Sequence, residues 1–134
     1  ERKDRVDDAV LAVKSAIKGG FVAGGGTTLF YISDKLKSKV KSVGGRILLE
    51  TLKRPMLQIL ENAKIEPPKK IIYGKGIDVR KRKSVDLFKA GVVDSTRVIK
   101  SCLENAVSVS TVIFTTDVLI LNEDPKYIYN EAIQ

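Results

Sequence analysis

No histidine occurs anywhere in the 134 residues, and cysteine occurs once, as Cys102. Catalytic arrangements of the Ser/His/Asp and Cys/His type are therefore excluded within this chain, as is any zinc site built from imidazole and thiolate. Catalysis here has to come from carboxylates, lysines or a bound cation. A lone cysteine forms no internal disulfide, and the apolar neighbours of Cys102 predict a small buried side chain rather than a reactive thiol. No run of about 18 uncharged apolar residues is present, so no membrane-spanning helix is expected. The opening residues ERKDRVDD also lack the features of a secretory signal.

What is present is enough apolar material for a core, 43% of residues, in a length that suits one domain. Lysine and arginine number 24 against 16 acids, a formal charge of +8 that would attract phosphates, anionic membranes or acidic proteins. Eight of those cations lie between Lys64 and Lys83, against Glu66 and Asp78. This cluster favours a basic nucleic-acid-binding module as an alternative function. The 6% aromatic content and the lack of a recognisable DNA or RNA motif oppose it.

Hydrophobic spacing predicts the elements. Val6, Ala9, Val10, Val13 and Ile17 recur at helical intervals over Asp4–Lys18, and Gly19-Gly20 provides the stop. An apolar connector, Phe21-Val22-Ala23, leads to Gly24-Gly25-Gly26. Thr27 and Thr28 then offer hydroxyl caps to a helix carrying Leu29, Phe30, Ile32 and Leu36. After the basic loop KLKSKVKS, helical character runs from Gly45 to Ala63, with Pro55 expected to kink or divide it because proline has no amide to donate. KKIIYGKGIDV predicts a hairpin around Gly74 to Gly76. Asp94-Ser95-Thr96 reads as a helix start, with Asp94 as a cap. Val98, Cys102, Leu103, Ala106, Val109 and Ile113 make a long stripe expected to be buried, and Val118 to Leu121 a strand.

Glycine supplies the other signal, with five of the ten glycines lying between Gly19 and Gly26. Backbone without side chains can approach a ligand closely, and the helix that follows offers unsatisfied amides. A tight connector between packed helices explains the same pattern. The cluster is not a phosphate-gripping G-x-x-x-x-G-K-[ST] loop, because the lysine is missing.

Three segments in this order, RVDDAVLAVKSAIKGGFVAGGGTTL, RPMLQILENA and AGVVDSTRVIKSCLENAVSVSTVIFTTDVLI, closely resemble the C-terminal part of a group I chaperonin of the chaperonin 60 family. The resemblance covers roughly residues 1 to 121. It implies a mainly α, multihelical equatorial-domain fold with a small β hairpin and a C-terminal edge strand. Residues 1–20 would be an intermediate-domain helix and hinge, and 21–134 the C-terminal half of the equatorial domain. It further implies an ATP-dependent folding machine that assembles as a homo-oligomer of heptameric rings, takes unfolded client proteins and is capped by a co-chaperonin. An assembly subunit without ATPase activity is the alternative within the family.

Carried over residue by residue, the resemblance makes Asp8 the catalytic carboxylate that positions the attacking water. On the residues alone Asp8 is an ordinary solvated carboxylate, about 160° around the helix from Val6. Gly24, Gly25 and Gly26 would lie against the ribose and base of the nucleotide, Val92 would pack on the base, and Asp94 would accept from the ribose hydroxyls. The family's G-Y-N-A-A stretch near the adenine is replaced by GIDVR, which puts Asp78, Val79 and Arg80 where asparagine and two alanines are expected. Asp78 accepts but does not donate, and the other two are bulkier than alanine. Arg80 to Lys83 reads as a solvated basic surface.

The family's phosphate loop, its magnesium-binding aspartates, its potassium site and its apical domain have no counterpart among these residues. The resemblance therefore implies a piece of a larger protein, with Mg and K held by an N-terminal half and no ATP hydrolysis by the piece alone. Separated from that half, it would expose apolar faces and self-associate, and the strand at 118–121 would pair with a neighbouring subunit. No tail of glycine and methionine follows, and lysine and isoleucine are frequent. Both features suggest an organellar protein, plastid-type or mitochondrial, with the bacterial cytoplasm as the alternative.

Overall fold

In a computed structural model, residues 1–68, 70–118 and 120 are described. Their order is α1 (Arg2–Gly19), β1 (Phe21–Ala23), α2 (Thr27–Leu36), α3 (Val43–Thr51), α4 (Arg54–Asn62), β2 (Lys75–Asp78), β3 (Lys83–Asp86), β4 (Val93–Ser95) and α5 (Thr96–Phe114). The fold is mainly helical with small antiparallel β pairs, as the equatorial-domain resemblance implies. Two compact units divide the chain, residues 1–101 and 102–134.

In the first unit α1 ends as its glycines predict. The Gly20 amide donates to the Ala16 carbonyl at 2.8 Å, and Gly20 takes the left-handed φ of 76° that ends the helix. The Phe21–Ala23 connector is a strand. It pairs antiparallel with β4 in the register Phe21 to Ser95, Val22 to Asp94 and Ala23 to Val93. The ladder continues past both ends, since the Gly24 amide donates to the Val92 carbonyl at 3.0 Å and the Thr96 amide to the Gly20 carbonyl at 3.1 Å. Ser95 Oγ donates to Ser15 Oγ at 2.9 Å and fastens the last third of α1 to β4.

Two expected caps are corrected. Gly26 occupies the N-cap of α2 with φ 73°, and no side chain caps that helix. Thr28 instead donates back to the Ala23 carbonyl at 2.7 Å, because the left-handed turns at Gly25 and Gly26 fold α2 against β1. Asp94 is also displaced from its expected capping role. It is paired within β4, and Ser95 immediately precedes α5.

The helical stretch around Pro55 is divided, as expected. Proline sits in the first turn of α4, where its missing amide costs nothing, and α3 stops at Thr51. A helix end leaves carbonyls without intrahelical donors. Lys53 N turns to the Glu50 carbonyl, and the Leu49 carbonyl accepts from Ser33 Oγ of α2 at 2.6 Å. Ser33 is 1% exposed, so this bond is sealed from water and fixes α2 on α3.

At its other end α4 closes in a Schellman motif. Ile65 N donates to the Leu60 carbonyl and Lys64 N to that of Glu61, with Lys64 left-handed at φ 53°. The core cluster of this unit is Met56, Leu60 and Ile71, with Phe30, Tyr31, Ile65, Ile77 and Val79 packed around it. Tyr73 and Phe88 extend the apolar region as an aromatic chain from Tyr31 to Phe21, with ring centroids 5.3 to 6.2 Å apart.

The hairpin is displaced from its expected place. Strands β2 and β3 pair with Lys75 opposite Asp86 and Asp78 opposite Lys83, so the turn is Val79–Arg82 and Gly74 to Gly76 lead into the first strand. Asp78 builds that turn: its Oδ1 accepts from the amides of Arg80 at 2.9 Å and Lys81 at 3.2 Å. Arg82, left-handed at φ 52°, donates from Nη2 to the Ala63 carbonyl at 3.1 Å and closes the C-terminal end of α4.

Of the second unit, the described part is the remainder of α5 and the residues after it. The stripe predicted there is present as a helical face, but it is not buried. Cys102 is exposed, as are Val109 and Ile113, and no residue of α5 is buried. The strand expected over 118–121 falls partly outside the described residues, and its described members Val118 and Ile120 are exposed.

Replacing Ser33 by alanine strands the Leu49 carbonyl in a dry site and is expected to cost about 2 kcal/mol of unfolding free energy. Urea denaturation followed by circular dichroism measures it. A loss no larger than that of an exposed serine such as Ser38 would remove this bond from any structural role.

Candidate functional site

The turn between β1 and α2 faces the hairpin and the face of α4 across a cavity of about 380 Å3. Gly24, Gly25 and Thr27 form one wall, and Met56, Ile59 and Leu60 of α4 form the next. Ile77, Asp78, Val79 and Arg80 come from the hairpin, and Leu87, Ala90 and Val92 from the segment running into β4. Segments more than 60 residues apart in the chain thus meet because β1 and β4 pair. The hairpin is held in turn by the Leu87 amide, which donates to the Gly74 carbonyl at 2.8 Å.

The walls are mostly aliphatic. Such a lining suits a flat apolar ring, which gains from leaving water and needs only a few polar groups for orientation. Two charged side chains line it, Asp78 and Arg80. The Asp78 Oδ1 is engaged by two turn amides, while Oδ2, 3.9 Å from Lys81 Nζ, keeps its acceptor capacity.

The glycine triplet divides by function of backbone. A Cβ on Gly24 would stand 3.1 Å from the carbonyl carbon of Val92 and from the amide nitrogen of Val93. A Cβ on Gly26 would meet the Met56 nitrogen at 2.6 Å, and Gly26 is left-handed besides. At both positions the missing side chain lets the chain pass its own backbone. Gly25 differs: its φ is 66°, and the space beside it is open for 4 Å. Of the three, Gly24 and Gly25 line the cavity.

Among the sequence-predicted site residues, Gly24, Gly25, Asp78, Val79 and Val92 therefore come together around one cavity. Gly26, Asp94 and Asp8 are not in its lining. Gly26 packs behind it on α4, and Asp94 is half-buried in β4 opposite Val22. Asp8 is exposed on α1, about 10 Å along that helix from its anchor at Ser15. Among the described residues no group of three or more His, Cys, Asp or Glu side chains is placed to hold a metal ion.

The α4 wall is not among the residues that the motifs mark. Its signal was available in RPMLQILENA, where Met56, Ile59 and Leu60 fall on one helical face. Nothing in the spacing said whether that face meets core or cavity, and it meets both: Met56 and Leu60 are in the core cluster and in the lining.

Gly26→Ala should lower stability by about 3 kcal/mol, combining left-handed strain with a backbone collision. Gly25→Ala should cost about 1 kcal/mol, from conformation alone. Equal losses in parallel thermal unfolding would contradict this division of the triplet.

A family model described as the TCP-1/cpn60 chaperonin family matches residues 1–124.

Proposed function

The chain belongs to the TCP-1/cpn60 chaperonin family, and from that premise we propose that it supplies the adenosine side of an ATP site in a protein-folding chaperonin subunit. Membership establishes the coarser part, a chaperonin-type subunit that acts within an oligomeric assembly on client proteins. The nucleotide site is supported by the cavity, where five positions of the family's nucleotide motifs gather, three with the motif residue (Gly24, Gly25, Val92) and two altered (Asp78, Val79).

The donor set fits that ligand. Aliphatic side chains from α4, the hairpin and Val92 offer a dry slot for a purine, and open space beside Gly25 admits a sugar against the main chain. In this reading Val92 packs on the base and Val79 closes the slot. Gly24 and Gly25 lie along the ribose, and Asp94, which stands outside the lining in β4, has to turn toward the sugar to accept from its hydroxyls. Asp78 shapes the slot through the turn that its Oδ1 holds, and its Oδ2 remains able to accept from a base amino group. ATP, when bound, supplies the phosphoanhydride whose hydrolysis drives the folding cycle.

Asp8 is the carboxylate proposed to orient the attacking water. It stands outside the cavity lining, so α1 has to swing about Gly19 and Gly20 to bring it over the nucleotide. The Ser15 to Ser95 bond is the contact such a swing would break. A subunit that assembles without hydrolysing ATP is the second reading, favoured by Asp8 standing apart from the cavity. Magnesium and potassium would be held by groups outside the described residues. Heptameric rings, a co-chaperonin and an organellar setting are proposed with the reading.

In the full-length assembled protein, Val92→Asp should weaken ADP binding at least about tenfold by placing a charge against the base. Asp8→Ala should leave ADP binding intact and slow ATP turnover on the order of a hundredfold. Wild-type protein that binds ADP and shows no turnover would select the second reading. Unaltered ADP affinity in Val92→Asp would remove the cavity from nucleotide binding.

A further inference from the structure

The basic run Arg80-Lys81-Arg82-Lys83 reads as one solvated patch in the sequence, yet the hairpin gives its members different tasks. Arg82 is spent on the Ala63 carbonyl. Lys83 lies in β3 opposite Asp78, and the Lys81 side chain is 74% exposed with its ammonium 3.9 Å from Asp78 Oδ2. Arg80 alone among the four lines the cavity. Its backbone is fixed twice over: its amide is bound by Asp78 Oδ1 at 2.9 Å, and the turn is tied to α4 through Arg82. Its guanidinium has no hydrogen-bond or ion-pair partner among the described residues, and it is the only cation in a lining otherwise made of aliphatic groups, glycines, Thr27 and the engaged Asp78.

We propose that Arg80 is a specificity-determining residue that lays its guanidinium plane over the base of the bound nucleotide, forming a lid on the aliphatic slot. The inference rests on the reading of this cavity as a nucleoside site. A guanidinium is planar, permanently charged and weakly hydrated, so it stacks on a heteroaromatic face at low desolvation cost. The aliphatic walls bind the base by exclusion of water and discriminate little between rings. An electron-rich face offered to Arg80 adds an electrostatic preference for purines. A lysine at this position keeps the charge but has no plane to stack. The contact is therefore separable from simple attraction to phosphate.

Isothermal titration of the full-length assembled protein with ADP, and with adenosine, tests this. Arg80→Ala is expected to weaken both ligands about five- to tenfold, Arg80→Lys is expected to recover little of the loss, and Lys81→Ala is expected to match wild type. Arg80 is exposed and makes no structural bond through its side chain, so unfolding temperatures should agree among all four proteins. Wild-type affinity in Arg80→Ala overturns the proposal and leaves the nucleotide reading standing. Full recovery in Arg80→Lys, or a loss confined to ADP, also overturns it by assigning Arg80 to the phosphates. Absence of ADP binding to the wild-type protein overturns both the nucleotide reading and the role of Arg80.

Discussion

The first unit depends on one backbone crossing, where Gly24 passes the peptide between Val92 and Val93. The approach is close enough that a Cβ would sit 3.1 Å from main-chain atoms on the other strand. The same crossing is locked by the bond from the Gly24 amide to the Val92 carbonyl. From it follow the pairing of β1 with β4, the anchoring of α1 through Ser15 and Ser95, and the meeting of the glycine turn with Val92 across the cavity. A short ladder like this carries little stability by itself, since two-stranded pairs are marginal in water. Its effect lies in bringing distant segments to one place, where Ala23 becomes fully buried.

Around that crossing, polar groups freed by breaks in regular structure are taken up by specific neighbours. The division of the helical stretch ahead of Pro55 releases the Leu49 carbonyl, and Ser33 satisfies it. The end of α4 releases carbonyls taken by Lys64, Ile65 and the Arg82 guanidinium. The Ser33 bond matters through the cost of losing it, because a buried acceptor without a donor forfeits its hydration, whereas the Arg82 bond is open to water. The surface ion pairs contribute less. Lys53 with Glu50 and Lys81 with Asp78 each have one partner open to solvent, Glu50 and Lys81, and half-exposed pairs of this kind are worth on the order of 1 kcal/mol or less.

The charge-rich segment 64–83 shows how structure redistributes what composition lumps together. Read along the chain, it is a basic run that invites a polyanion. Folded, Asp78 organises the turn, Arg82 caps a helix and Arg80 faces the cavity, so the hairpin becomes one wall of the site. The apolar stripes of α1 and α5 make the complementary point. Val6, Val10, Val13 and Ile17 fall on one face of α1, and all four are exposed, Ile17 to 80%. Periodicity identifies a face that wants cover, and it says nothing about what provides the cover.

Local physics alone determined several features of this protein. Helical spacing in RVDDAVLAVKSAI marked α1, the conformational freedom of Gly20 marked its end, and the missing amide of Pro55 marked the break between α3 and α4. The three ordered segments also carried the family. Other features needed the fold. Which glycines are required by backbone collision, where the hairpin turns, which of Thr27, Thr28 and Asp94 would cap a helix, and whether Cys102 is covered all depend on partners distant in sequence. The candidate site was legible as a set of motif residues, five of which line one cavity, while the α4 wall and the placement of Arg80 were not. The physical reason is range: propensity and capping act within a turn of chain, whereas a cavity wall is set by which strands pair, and that pairing joins residues some seventy positions apart.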